Sequence, residues 1–259
     1  MTAIYRRGVL GKIVRLTRAQ SAREPPLLRG ICQARPMTAP HQHGTTHHHA
    51  HADPNAHLSP TEYWEKRYGD TERVWSGRVN ATMAAVVGEL TPGSVIDLGC
   101  GEGGDVLWLA EQGWQAHGLD ISSTAVGRAR DEAAARGLEG ATFTATDLGA
   151  WQPEPESVDL VTASFFQSNV ALDRAAILRA AASAVRPGGR LVVISHAQGP
   201  AGSSLRGPNM VTASEDAAEL DLPSDQWTVE TADERSRPST GHDGQSSELV
   251  DAVLVMLRR

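Results

Sequence analysis

Three aspartates, Asp97, Asp120 and Asp147, stand at or beside the ends of three segments rich in apolar residues: Val95 to Leu98, Gln115 to Leu119 and Thr142 to Thr146. Between the first two lies a glycine loop, Gly99-Cys100-Gly101-Glu102-Gly103-Gly104. Gly99, Gly101 and Gly104 satisfy the G-x-G-x-x-G spacing that brings backbone close to a dinucleotide pyrophosphate at a helix N-terminus. The carboxylate of Asp97, just before the loop, would repel two phosphates. It suits a cationic ligand, and S-adenosylmethionine carries an ammonium and a sulfonium but no phosphate. Each acid has a distinct use for such a ligand. Asp120, 21 residues beyond Gly99, can accept both ribose hydroxyls; Asp147 can accept the adenine amino group; Asp97 can reach the methionyl ammonium directly or through water. An NAD-dependent oxidoreductase is the alternative that the glycines alone leave open.

The surrounding pattern predicts elements that would bring these acids to one edge. Ser59-Pro60-Thr61-Glu62 combines an N-cap serine, a proline at the first helical position and a capping-box glutamate, so a helix starts there and stops at Gly69-Asp70. Val79, Met83, Val86, Val87 and Leu90 space out a second helix before Pro92. From Ser94 strands and helices alternate: helices over Asp105 to Gln112, from the Ser122 cap to Arg136, and over Ala175 to Val185; strands over Val158 to Ala163 and Leu191 to Ser195, the last preceded by a turn at Arg186-Pro-Gly-Gly189. Thr212-Ala-Ser-Glu215 opens a short helix to Leu220, and strands are expected over Thr228 to Ala232 and Leu249 to Leu257. Ser236 to Ser247 carries no order signal and reads as a loop.

Composition bounds the remainder. The chain has 259 residues and a net charge of −7. Residues 1–36 hold eight basic residues and one acid, so this segment is +7 and the rest of the chain is −14. An acidic body is a poor partner for nucleic acid. The basic segment reads as an upstream extension with translation starting at Met37, as a transit peptide or as a twin-arginine signal; Lys12, Arg15 and Arg18 break any apolar stretch after Arg7. Seven of the ten histidines lie between His41 and His57. The tract has too few apolar residues to order itself, so residues 1–58 are expected to be a disordered extension and 59–259 the folded domain. Non-specific metal binding at His47, His48, His49 and His51 is expected, and a metal-binding regulatory protein is a further alternative. Two cysteines in unlike segments give no disulfide framework, and no apolar run is long enough for a membrane span, which points to the cytoplasm.

Val95-Ile-Asp-Leu-Gly-Cys-Gly101, Gly118-Leu-Asp-Ile-Ser122, Ala145-Thr-Asp-Leu148 and Arg186-Pro-Gly-Gly-Arg190 resemble the motifs of class I S-adenosylmethionine-dependent methyltransferases. The resemblance implies a Rossmann-like α/β fold, a seven-stranded, mostly parallel sheet of order 3-2-1-4-5-7-6 with strand 7 antiparallel and helices on both faces. It implies that Gly99, Cys100, Gly101 and Gly103 hold the methionyl part, Asp120 and Ile121 the ribose, and Asp147 and Leu148 the adenine, with Asp97 and Ser164 beside them. Tyr63-Trp-Glu-Lys-Arg-Tyr68 and Trp75-Ser-Gly-Arg-Val-Asn80 look like the opening of the thiopurine and tellurite-resistance branch, in which a tryptophan closes over the cofactor; Trp75 takes that place here. The branch implies a small-molecule acceptor such as a thiol or chalcogen oxyanion.

No decisive catalytic base is visible. His196, after the fifth parallel strand, is the weak candidate. Ser164-Phe-Phe-Gln-Ser-Asn169 stands where amino-group methyltransferases of nucleic acids and proteins carry an Asn/Asp-Pro-Pro-Tyr signature, and Phe165, Phe166 and Gln167 are placed to shape an acceptor pocket. Oligomeric state is not readable from the sequence.

Overall fold

The computed structural model describes residues 57–197, 210–240 and 246–259. The basic segment and the histidines from His41 to His51 lie outside these residues. The first helix, α1 (Pro60–Gly69), is capped as its sequence dictates: Ser59 Oγ accepts the Glu62 N–H while the Glu62 carboxylate accepts the Ser59 N–H. Asn80 caps α2 (Ala81–Val87), which is shorter than the apolar spacing implied, so Leu90 falls beyond it. Then follow β1 (Ser94–Leu98), α3 (Gly104–Glu111), β2 (Gln115–Asp120), α4 (Ser123–Arg136), β3 (Ala141–Ala145), β4 (Val158–Ser164), α5 (Arg174–Ala182), β5 (Val185–His196), α6 (Ala213–Leu220), β6 (Trp227–Thr240) and β7 (Ser246–Arg258).

The strands form one sheet in the order β3-β2-β1-β4-β5-β7-β6, with β7 antiparallel to both its neighbours. Both faces are covered, and successive residues of the inner strands serve opposite cores. Val192, Ile194, Val253 and Val255 pack with Met83, Val106 and Val126, whereas Leu191, Val193, Leu254 and Met256 pack with Leu178, Ala181 and Leu220. The unbroken apolar runs Leu191 to Ile194 in β5 and Ala252 to Met256 in β7 are the consequence of burial on two faces. No helix among the described residues is long and apolar enough to cross a membrane.

Three further sequence expectations are corrected. The fifth helix stops at Ala182, because Val185 is drawn into β5 opposite Val158. Arg186-Pro-Gly-Gly189 is an irregularity inside β5: the register with β4 jumps from Val158↔Val185 to Leu160↔Arg190, accommodating the extra residues. Most consequentially, Ser236 to Thr240 is strand, continuing β6 in register with β7 from Ser236↔Val250 to Thr240↔Ser246. Its polar sequence carries no apolar alternation. Pairing with the buried β7 strand supplies the order that the local sequence does not.

Candidate cofactor and acceptor site

The glycine loop joins β1 to α3 at the carboxyl edge of the sheet. Its shape requires glycine at two positions in particular. Gly99 and Gly101 have φ of +67° and +52°, and a Cβ there would stand 2.7 Å from the Phe166 ring and 2.7 Å from the Tyr68 hydroxyl respectively. The loop is thus in close contact with the α1 segment on one side and the loop after β4 on the other.

Asp120 ties the loop to β2. One carboxylate oxygen accepts the Gly101 N–H at 2.8 Å and the other accepts the Ser122 N–H at 2.9 Å. An ionised carboxylate has about four lone-pair sites, so capacity for two hydroxyl donors remains. Asp97 is 3% exposed and accepts a hydrogen bond from Thr162 Oγ1 at 2.6 Å. Asp105, at the start of α3, accepts the Asn80 N–H at 2.7 Å. None of Asp97, Asp105 and Asp120 has an ion-pair partner among the described residues.

Burial pushes the Asp97 carboxyl well above the ordinary range, and the charge of Asp105 adds to the effect against the opposing Thr162 bond. Burial likewise raises Asp105, opposed by the Asn80 N–H, and Asp120, opposed by the Ser122 and Gly101 N–H groups. Ser164 Oγ, near Asp105, is buried without a hydrogen bond of ordinary geometry. A glycine cradle, buried acids without a basic counterpart and an orphaned hydroxyl form a donor set that fits a ligand with cationic and hydroxyl groups. In the sequence Asp105 is only the start of a helix; its partner Asn80, 25 residues away, is what brings it to this edge.

Asp147 lies exposed beyond β3, its Oδ1 accepting the Gly149 N–H at 2.8 Å, with Leu148 buried beside it. Ile121 is half-buried between Asp120 and the α4 cap. Cys100 is buried, and burial, with the Asp120 and Asp97 charges, raises its thiol pKa, which removes it as a nucleophile.

The segment after α1 is clamped over the loop by a residue the sequence did not single out. The Glu102 carboxylate, 4% exposed, accepts the Val74 and Trp75 N–H groups at 3.1 and 3.0 Å and pairs with Arg128 at 2.9 Å. Trp75 Nε1 donates to Tyr68 Oη at 3.0 Å, and the indole remains 49% exposed above Gly101.

The neighbouring side of the edge is built differently. Phe165, a bulky residue at φ +52°, follows β4 and stacks on His196 with ring centroids 4.0 Å apart and planes 13° from parallel. Gln167 Oε1 accepts the His196 N–H at 2.8 Å. Burial lowers the His196 pKa; the Asp251 charge opposes this and that of Arg237 reinforces it. Arg174, on α5, donates to Phe166 O at 2.9 Å, to Ser195 Oγ at 2.7 Å and to the buried Asp216 at 2.5 Å, tying the loop after β4 to β5 and α6.

A family model described as a methyltransferase domain matches residues 95–189. The chain is 30% identical over 139 residues to a 2-heptyl-1-hydroxyquinolin-4(1H)-one methyltransferase of Mycobacteroides abscessus, a match covering 53% of this chain and 60% of that relative. Residues 95–189 thus form a methyltransferase domain, and the matches support a class I S-adenosylmethionine-dependent methyltransferase; the chain spans less than two thirds of the length of the curated relatives it matches. The methyltransferase fold is shared by a solved structure titled for the conversion of a disulfide bond into a thioacetal group during echinomycin biosynthesis, at 27% identity and a TM-score of 0.61, covering 77% of this chain and 92% of the other. TehB from Haemophilus influenzae shares the fold at 15% identity and a TM-score of 0.56, covering 76% of this chain and 67% of TehB. The methyltransferase matches imply S-adenosylmethionine as the cofactor, so the dinucleotide alternative falls away. The metal-binding alternative rests on histidines outside the described residues, among which no cluster of metal-ligating side chains occurs.

Proposed function

We propose that the chain transfers the methyl group of S-adenosylmethionine to a heteroatom of a small molecule, with a sulfur, chalcogen or acidic oxygen acceptor. The observation carrying this reading is the set of buried acids at the carboxyl edge, Asp97, Asp105 and Asp120, without a basic side chain to neutralise them. Asp97 and Asp105 would hold the methionyl ammonium. Asp120 would take the ribose hydroxyls, with Ile121 beside them. Asp147 and Leu148 would border the adenine, and Gly99, Cys100, Gly101, Gly103 and Ser164 the methionyl chain. Trp75, fixed by Tyr68 and Glu102, would cover the ligand and exclude water.

The cofactor supplies an electrophilic methyl on a sulfonium, and the transfer is an in-line displacement in which alignment is the protein's main contribution. The stacked Phe165 and His196 border the neighbouring space, and Phe166 sits against Gly99 between the two halves. A small acceptor is supported by two similarities: one relative is named for a hydroxyquinolone, and one solved structure for chemistry at a disulfide sulfur. The chain also matches a ribosomal RNA small subunit methyltransferase of Alcanivorax borkumensis, but over 49 residues, 15% of that protein. The charge of −14 beyond residue 36 disfavours RNA. The test is a screen with labelled cofactor across aromatic and aliphatic thiols, tellurite, selenite, N-hydroxy heterocycles, phenols, amines and ribosomal RNA. Label in a thiol, chalcogen oxyanion or acidic hydroxyl is the expected result; label in RNA alone would overturn the reading.

A further inference from the structure

Three remote segments, β6, β7 and α2, converge beside the Phe165–His196 stack. Arg237, from β6, crosses β7 so that its guanidinium carbon lies 5.3 Å from the centroid of the Phe165 ring. Its Nε donates to Asp251 Oδ2 at 2.7 Å, and Thr82 Oγ1, from α2, donates to the same oxygen at 2.7 Å. Guanidinium and carboxylate ordinarily meet through two parallel hydrogen bonds. Here that fork is not made. Among the described residues Asp251 Oδ1 is buried with no partner, and the Nη nitrogens of Arg237 have no hydrogen-bond partner. The forgone bond leaves the guanidinium over the aromatic ring with its side chain 23% exposed. Asp251 and Thr82 fix the inner end of the group while its outer donors stay available.

We propose that Arg237, Phe165 and His196 form an acceptor subsite for a planar aromatic molecule whose methyl-accepting atom is an anion. The ring lies against the Phe165–His196 stack and the anion receives the Arg237 Nη donors. This rests on the methyltransferase reading above. It also explains why no base is found. The lone pair of an ionised acceptor forms the bond to the methyl carbon while the carbon–sulfur pair returns to sulfur. Sulfonium and acceptor charges cancel together, and no proton has to be moved. Phe166, adjacent to Phe165, touches Gly99, so the subsite adjoins the methionyl end of the cofactor loop.

The experiment is equilibrium binding to the full chain saturated with S-adenosylhomocysteine, comparing 4-nitrothiophenolate with its neutral S-methyl ether. Wild type is expected to favour the thiolate by about tenfold, the scale of one charge-assisted hydrogen bond over a neutral contact. Arg237→Gln should erase the preference while changing S-adenosylhomocysteine affinity less than about twofold, and Arg237→Lys, which keeps the charge, should retain a preference. The wild-type comparison needs no substitution and so does not depend on the Gln variant folding. Equal binding of the two compounds by wild type, or an undiminished preference in a folded Arg237→Gln protein, would overturn the proposal. Failure of wild type to bind S-adenosylhomocysteine would instead overturn the methyltransferase reading.

Discussion

The two halves of the carboxyl edge are assembled on opposite principles. Over β1, β2 and β3 the candidate acids Asp97, Asp120 and Asp147 sit at or just beyond the ends of their own strands, and the glycine loop takes its shape from its own glycines with the Asp120 carboxylate of the neighbouring strand. Over β4, β5, β7 and β6 the groups come from Thr82, Phe165, Arg174, His196, Arg237 and Asp251, brought together by long-range pairing. The contrast teaches that a shared donor can be served by a short local motif. The acceptor side proposed above is built from side chains that meet only when the whole sheet has formed.

The comparison can be broken most forcefully at its acceptor half. Arg174→Met should destabilise the protein by about 3–5 kcal/mol, because it leaves Asp216, 1% exposed, as a buried charge without its partner. Urea unfolding followed by circular dichroism checks this, and a loss below about 1 kcal/mol would show that Asp216 finds another way to be neutralised. At the donor half Gly101→Ala should cost about 1–2 kcal/mol of stability, since it places a Cβ at positive φ against the Tyr68 hydroxyl, and it should weaken cofactor binding as the loop shifts.

The pH dependence sharpens the same contrast. Burial raises the folded-state pKa of Asp97, Asp105 and Asp120, so without ligand these acids hold protons more tightly than in the unfolded chain. Their contribution to stability is therefore present at low pH and is lost as pH rises through the raised folded values. A cationic ligand favours the ionised acids. The rise in Tm produced by S-adenosylmethionine should accordingly grow as pH rises above the ordinary carboxylate range, measured by thermal shift in matched buffers. The smallest effect is expected far from either half: Lys66→Ala, which removes an exposed pair with Asp70, should change stability by no more than about 0.5 kcal/mol in the same urea assay.

What could be read from the sequence follows this division. The capping boxes at Ser59 and Thr212, the Ser122 cap and the strand-end acids depend on neighbours three or four residues away, and the structure has them in place. The strand order came with the motif resemblance; spacing alone would not have given it. Asp105 and Glu102 went unassigned because their partners, Asn80, Val74 and Arg128, lie more than twenty residues away. Ser236 to Thr240 was read as a loop because its residues favour no strand by themselves; only β7, paired across the hairpin, holds them extended. Arg237 and Asp251, the most informative pair on the acceptor side, were invisible for the same reason.

The central claim is that the acids at the ends of β1 and β2 hold S-adenosylmethionine. Titration calorimetry of the cofactor into wild type and Asp120→Ala tests it most directly. The account predicts binding in about the micromolar range for wild type and a loss of about 100-fold in the variant, the scale of two hydrogen bonds to a charged group. Wild-type affinity in a folded Asp120→Ala protein would contradict it.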